Sequence, residues 1–215
     1  YYHLAIPQQV LESGTLPGGL LQPNGSRPLI MHLPFTSLLA LGGDQAPRLF
    51  HLMRSGLLVI GVGAVGKKHL CQTTGVVAML ILLSCGSFVQ EFGLASTNLP
   101  TALCVLAALD SGLSGRAKAL ALAAGAALSC KYTAGAPIAA IFLVSTLPWK
   151  ARIWTGLAAL ALVAPWWVRN LWADLHPLFP FAGWPTPEDA STSAPMRFFF
   201  LEKYGAGRDI QAMLM

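Results

Sequence analysis

The stretch Lys67-Lys68-His69-Leu70-Cys71-Gln72-Thr73-Thr74-Gly75-Val76-Val77-Ala78-Met79-Leu80-Ile81-Leu82-Leu83 decides the fold. A basic cluster stops one apolar run, and a second apolar run begins almost at once. The same punctuation recurs at Arg116 with Lys118 and at Lys150 with Arg152. Between the clusters lie Thr73 to Phe88, Leu99 to Leu109, Ala119 to Ser129 and Ala134 to Leu147. Ile153 to Val168 follows the last cluster. Apolar runs divided by Lys and Arg are the pattern of a polytopic membrane protein whose loops are sorted by charge.

Composition supports this reading. The chain is 54% hydrophobic and 11% charged, against about 25% charged in an average soluble domain. Mean hydropathy is +0.58. The net charge of +5 does not point to nucleic acid, because the basic residues cap apolar runs and form no stripe with interleaved aromatics. Cys71, Cys85, Cys104 and Cys130 lie in or beside apolar runs without metal-ligand spacing, and are expected to be small core residues.

Residues 1–49 are too polar and too rich in Pro and Gly to span a bilayer. They read as a first outer loop with amphipathic or interfacial helices: a short face on Leu4, Ala5, Ile6, Val10 and Leu11, ending near Gly14, and a second stretch from Pro28 to Leu41. Residues 50–170 read as a bundle of about six spans, with the first running from Arg48 to Gly66 and the last from Ile153 to Val168. Residues 171–215 read as an aromatic, Pro-rich outer loop. The chain opens on Tyr1 and ends at Met215, and is expected to be a piece of a larger membrane protein.

The alternation fixes a topology. With Lys67-Lys68 cytoplasmic, two hairpins return Arg116 with Lys118, and then Lys150 with Arg152, to the same side. The favoured second hairpin turns at Cys130-Lys131-Tyr132-Thr133; the alternative is one long span over residues 119–149, which would put Lys150 and Arg152 outside. A single long span there would bury Lys131 mid-bilayer, at a cost of about 2.5–3.5 kcal/mol. Residues 1–49, Glu91 to Asn98, Lys131 and everything after Arg169 then face outward.

Gly61-Val62-Gly63-Ala64-Val65-Gly66 matches the dinucleotide fingerprint GxGxxG. The fingerprint needs an acidic residue about 20 positions on for the ribose. Val77 to Leu83 is wholly apolar, so close helix packing is the expected use of these glycines. On the outer side, Lys131 stands between apolar runs with no acid near it in sequence. It is either a snorkelling helix end or an anion-binding residue.

Several motifs carry a resemblance. They are Tyr2-His3-Leu4-Ala5-Ile6-Pro7 with Glu12-Ser13-Gly14, Ser26-Arg27-Pro28-Leu29, and Leu41-Gly42-Gly43-Asp44. Further on come Ser129-Cys130-Lys131-Tyr132-Thr133-Ala134, Ala164-Pro165-Trp166-Trp167-Val168-Arg169-Asn170, and His176-Pro177-Leu178-Phe179-Pro180-Phe181. In this order the set resembles the GT-C superfamily of membrane glycosyltransferases, of the PMT/ArnT-like and RgtA/B/C/D-like kind. The resemblance implies an all-α, GT-C-like transmembrane bundle in the bacterial inner membrane with a periplasmic active site. It implies transfer of a sugar from a polyprenyl-phosphate donor to a lipid, glycan or protein acceptor. A carboxylate would serve as general base on the acceptor hydroxyl, and cationic or backbone donors would receive the departing phosphate.

Residue by residue, the resemblance implies that Tyr2 and His3 border the site. Lys131 and Arg169 line the carrier-phosphate side, and His176 joins them. The family's first-loop Asp falls before Tyr1, and the acidic residue of its next outer loop aligns with Asn98, which cannot act as a base. Either Glu91, close by, substitutes for it, or this chain has lost that role. The chain as given is therefore expected to be catalytically incomplete. No cofactor or metal is called for, although a divalent ion is compatible with such chemistry. Membrane lipids are expected partners and nucleic acid is not. The competing class is a non-enzymatic membrane transport or assembly subunit, which would show a broken central helix or paired intramembrane charges.

Overall fold

A computed structural model describes residues 2–16, 28–173 and 176–178; the side chains of Tyr2 and His3 lie outside that description. Among the described residues the regular elements are all helical. They are α1 (Tyr2–Ser13), α2 (His32–Gly42), α3 (Gln45–His69), α4 (Gln72–Ser84), α5 (Gly86–Gln90), α6 (Asn98–Leu113), α7 (Ala117–Cys130), α8 (Gly135–Val144) and α9 (Trp149–Trp172). Single 3-10 turns stand at Glu91–Gly93 and Tyr132–Ala134.

The sequence places the helix ends. Pro34, Pro47, Pro100 and Pro137 each fall in the first turn of a helix, where an N–H has no intrahelical partner to lose. Gly14 closes α1 with φ of 68°, and Gly115 turns α6 into α7 with φ of 65°. Glycine adopts that left-handed conformation without a Cβ penalty. Lys67, Lys68 and His69 occupy the last turn of α3, where cations complement the helix dipole.

The chain forms two compact units. The first contains residues 2–15 and 28–165, and the second is described at residues 16, 166–173 and 176–178. In the first unit, α3 packs on α4 through glycines: a Cβ on Gly66 would stand 2.8 Å from the Gly75 Cα. The GxGxxG segment is thus the interior of a helix, as its apolar surroundings suggest. Helix α6 packs on α3, α7 and α8. One core cluster joins Ala108, Leu120, Ala124, Ile138, Ile141 and Ala159. A second joins Leu58, Val59, Phe88 and Leu99. Alanine and glycine at these crossings let backbones approach closely.

The three basic clusters gather at one end of this unit. Lys68 Nζ lies 2.6 Å from Asp110 Oδ1 and His69 Nε2 lies 2.8 Å from the same oxygen, while Arg116 pairs with Oδ2. The Thr146 amide donates to the Gly112 carbonyl at 3.1 Å, which brings the end of α8 beside the end of α6. Arg152 donates to the carbonyls of Leu143, Ser145 and Leu147 at 3.0, 2.5 and 2.8 Å. It thereby caps the exposed C-terminus of α8.

Helices α3 and α9 are long and apolar enough to cross a membrane. Most of their apolar surface faces outward; Ile60 on α3 is 62% exposed and Trp154 on α9 is 72% exposed. Helices α4, α6, α7 and the segment Tyr132–Val144 are shorter than the roughly 20 residues a crossing needs. Two of the expected crossings are therefore full-length helices, and the others fall short. Helix α4 stops at Ser84, Cys85 is extended with φ of −76° and ψ of 109°, and α5 follows for five residues. The chain also leaves the helix at Lys131, with φ of −162° and ψ of 127°. The apolar stretch from residue 119 to 149 is thus a hairpin of two short helices.

Cysteine placement corrects one expectation. Cys130 is buried and Cys104 half-buried, but Cys71 and Cys85 are exposed, and all four thiols are free. The exposed pair occupies breaks between helices, where no neighbouring helix covers the side chain.

Candidate functional site

Opposite the basic end, the turn after α5 and the start of α6 meet the α7–α8 hairpin. The turn is built on aromatic packing: the rings of Phe88 and Phe92 meet edge to face at 4.9 Å. Ser96 and Thr97 are buried beneath it. The Thr101 hydroxyl donates to the Thr97 carbonyl at 2.6 Å, which fixes the first turn of α6. This frame holds Glu91 against Asn98. The Asn98 amide Nδ2 donates to Glu91 Oε1 at 2.9 Å, and the Ser96 hydroxyl donates to Oε2.

Lys131 completes the group. Its Nζ donates to Asn98 Oδ1 at 2.8 Å. Asn98 thus bridges a carboxylate and an ammonium through the two ends of one amide. Asn is suited to this because its side chain is donor and acceptor at once. The lysine has three donors and this bond takes one, leaving N–H groups to offer an anion. The carboxylate has lone pairs beyond the two used by Ser96 and Asn98. A proton acceptor and an anion donor are therefore held a side chain apart.

Of the residues singled out in sequence, the structure brings together Glu91, Asn98 and Lys131. Tyr2 and His3 open α1, and their side chains lie outside the description. Arg169 and His176 belong to the second unit. There, the Arg169 guanidinium lies 5.5 Å from the Trp166 ring centroid and Nη2 reaches Asn170 Oδ1 at 3.4 Å. Asn170 Nδ2 donates to the Pro177 carbonyl at 3.1 Å, and His176 Nδ1 accepts from the Leu178 amide at 3.1 Å. These bonds fold the segment after α9 back on the helix end.

Two residues of α3 escaped the sequence reading. His51 is fully buried and neither ring nitrogen finds a hydrogen-bond partner at good geometry; the ring faces Glu91. Arg54, one turn on, lays its guanidinium 3.8 Å from the Phe50 ring centroid. Its Nη1 approaches Met31 Sδ at 3.0 Å, and it faces the thiols of Cys104 and Cys130. A thioether is a weak acceptor, and among the described residues no carboxylate pairs with Arg54. The signal was available: two ionisable residues three apart on one helix face, inside an apolar run.

Asp110 is the other missed residue. It is the shared acceptor for Lys68, His69 and Arg116, and it ties α3, α6 and α7 together at the basic end. Among the described residues no three His, Cys, Asp or Glu side chains converge to share a metal ion. Comparisons with family models, with curated proteins and with solved structures find no match to this chain.

Proposed function

We propose that this chain is part of an integral-membrane, GT-C-like glycosyltransferase. It moves a sugar from a polyprenyl-phosphate donor to a lipid, glycan or protein acceptor at the outer face of the bacterial inner membrane. The observation that carries the reading is the Glu91–Asn98–Lys131 chain at the end of the bundle opposite the basic clusters. Glu91 takes the proton of the acceptor hydroxyl as its oxygen bonds to the anomeric carbon. The glycosidic C–O bond to the carrier breaks, and the phosphate leaves with that electron pair toward the Lys131 ammonium. Asn98 orients both groups and takes no proton itself. Arg54, a cation without a carboxylate partner among the described residues, is a second donor for phosphate. Arg169, His176, Tyr2 and His3 are further donor- and acceptor-binding residues in this reading.

The test is transfer of label from polyprenyl-phosphate-linked sugars, in membranes containing the full-length protein. Glu91→Gln should lower the rate by about 100-fold or more, the range of a lost general base. Lys131→Ala should also lower it sharply, and Lys67→Ala at the basic end should not. Equal, mild losses at all three positions would make the polar chain a structural device. Movement of the lipid-linked sugar across the membrane with its glycosidic bond intact would favour a transporter.

A further inference from the structure

We infer that the cleft between α7 and α9 at the basic end binds an anionic phospholipid of the membrane leaflet on that side. The inference requires only that the chain lie in a bilayer, and it is independent of the glycosyltransferase reading.

The two helices are pinned at one point and open from there. Gly125 of α7 is pressed against α9 so closely that a Cβ would stand 2.9 Å from the Ala159 carbonyl oxygen and 2.8 Å from the Leu162 Cβ. The Ser129 hydroxyl donates to the Leu162 carbonyl at 3.3 Å on the far side of that crossing. Toward the basic end the helices part around a space of about 480 Å³, the size of a small-molecule site. Its walls are Ala121 and Leu122 of α7 with Trp154, Ala158 and Leu162 of α9. Small residues hollow the walls, and the crossing at Gly125 closes one end. The shape is a shallow, open apolar slot along which a hydrocarbon chain can lie.

Charge selects the headgroup. Lys118 lines the mouth on α7. Lys150 stands one turn before Trp154 on α9, on the same face by the i, i+4 rule. Both lysines are exposed, and among the described residues neither has a carboxylate partner. The nearby Asp110 is already engaged by Lys68, His69 and Arg116, and Arg152 is committed to the carbonyls that end α8. One ammonium at the mouth and a second one turn before Trp154, neither paired with a carboxylate among the described residues, match a phosphate carrying no compensating choline. Trp154 has the amphipathic character that favours the membrane interface, and it makes a natural reporter.

The experiment reconstitutes the protein in phosphatidylcholine vesicles containing about one-tenth dibrominated phosphatidylglycerol or dibrominated phosphatidylcholine. The Trp154 contribution is isolated by difference from Trp154→Phe. With each lysine contributing about 1 kcal/mol at an anionic surface, phosphatidylglycerol should be preferred at the slot by roughly 30-fold. Quenching should then be far stronger with the anionic lipid. Lys118→Gln with Lys150→Gln should bring it to the phosphatidylcholine level, and Ala121→Leu, which fills the slot, should lower it for both lipids. Lys67→Gln removes a basic charge outside the slot and should leave the preference intact. Equal quenching by the two lipids overturns the inference. So does a preference that survives the double lysine variant, which would mark general surface attraction. Absence of quenching by either lipid would show that protein, from another segment or a second copy, fills the slot.

Discussion

Replacing Asp110 by Ala removes the carboxylate and every bond it accepts. Its carboxylate is 19% exposed, and its cationic partners differ in exposure: 48% for Lys68, 20% for His69 and 53% for Arg116. The two half-exposed pairs are screened by solvent and contribute about 0.5 kcal/mol each. The better-buried hydrogen bond to His69 contributes about 1 kcal/mol. The Lys68 ammonium also bonds the Ser114 hydroxyl at 2.7 Å, so it is not set free entirely. The sum is a loss of about 2 kcal/mol, or about a 30-fold shift toward the unfolded form. Thermal unfolding in mild detergent, followed by far-UV circular dichroism, measures it. Raising the salt from about 0.05 M to about 0.5 M should shrink the difference, because only the Lys68 and Arg116 shares are strongly screened. Adding Arg116→Gln to Asp110→Ala should cost almost nothing more, since their shared bond is already gone. A variant within about 0.3 kcal/mol of the native protein at both salt concentrations would refute the idea that Asp110 ties the three helices together.

Burial pushes His32 down to about 4 from its ordinary 6.5. The stability this neutral histidine gives α2 is therefore whole above pH 6.5 and lost as pH falls toward 4, by up to about 3 kcal/mol; amide exchange in α2 should accelerate across that window, and His32→Gln should flatten the dependence. The hydroxyl and amide of Thr74 hold the Cys71 thiol below its ordinary range; alkylation of Cys71 near neutral pH should slow in Thr74→Val, and an unchanged rate would mean that exposure alone sets its reactivity.

The helix ends were legible because charge marks them. Lys67, Lys68, Arg116 and Arg152 stand at boundaries where a bilayer-buried helix would have to exclude them, and the structure gathers those boundaries at one end. The turn at Lys131 was legible for the same reason. The break at Cys85 was not, because Ser84-Cys85-Gly86 is as compatible with a helix interior as with its interruption. At the candidate site, Glu91, Asn98 and Lys131 could each be singled out, but their bonds could not. Asn98 and Lys131 are 33 positions apart, and their meeting depends on how α6 and α7 register against each other. That register is set by alanine and glycine packing, which many neighbouring registers satisfy almost equally well in sequence. His51, Arg54 and Asp110 were passed over because each lies inside an apolar run whose average hides it. A lone ionisable residue in such a run is informative by itself, since it must find a partner, a ligand or water.

The shortness of the α7–α8 hairpin bears on the lipid around it. Helix α7 has 14 residues and α8 has 10, which correspond to about 21 Å and about 15 Å of rise. A typical hydrocarbon core is about 30 Å thick. A bilayer meeting this side of the protein must thin, or admit headgroups and water below its usual surface, at a modest cost per ångström of mismatch. With the proposed orientation, Lys131 at the tip of the hairpin would then lie at the floor of a dimple in the outer leaflet. In the proposed reading, a long-chain lipid phosphate would meet the ammonium there while its tail remained in oil. A thinner membrane needs less deformation to fit this face, so in the proposed reading membrane thickness itself would tune access to the site.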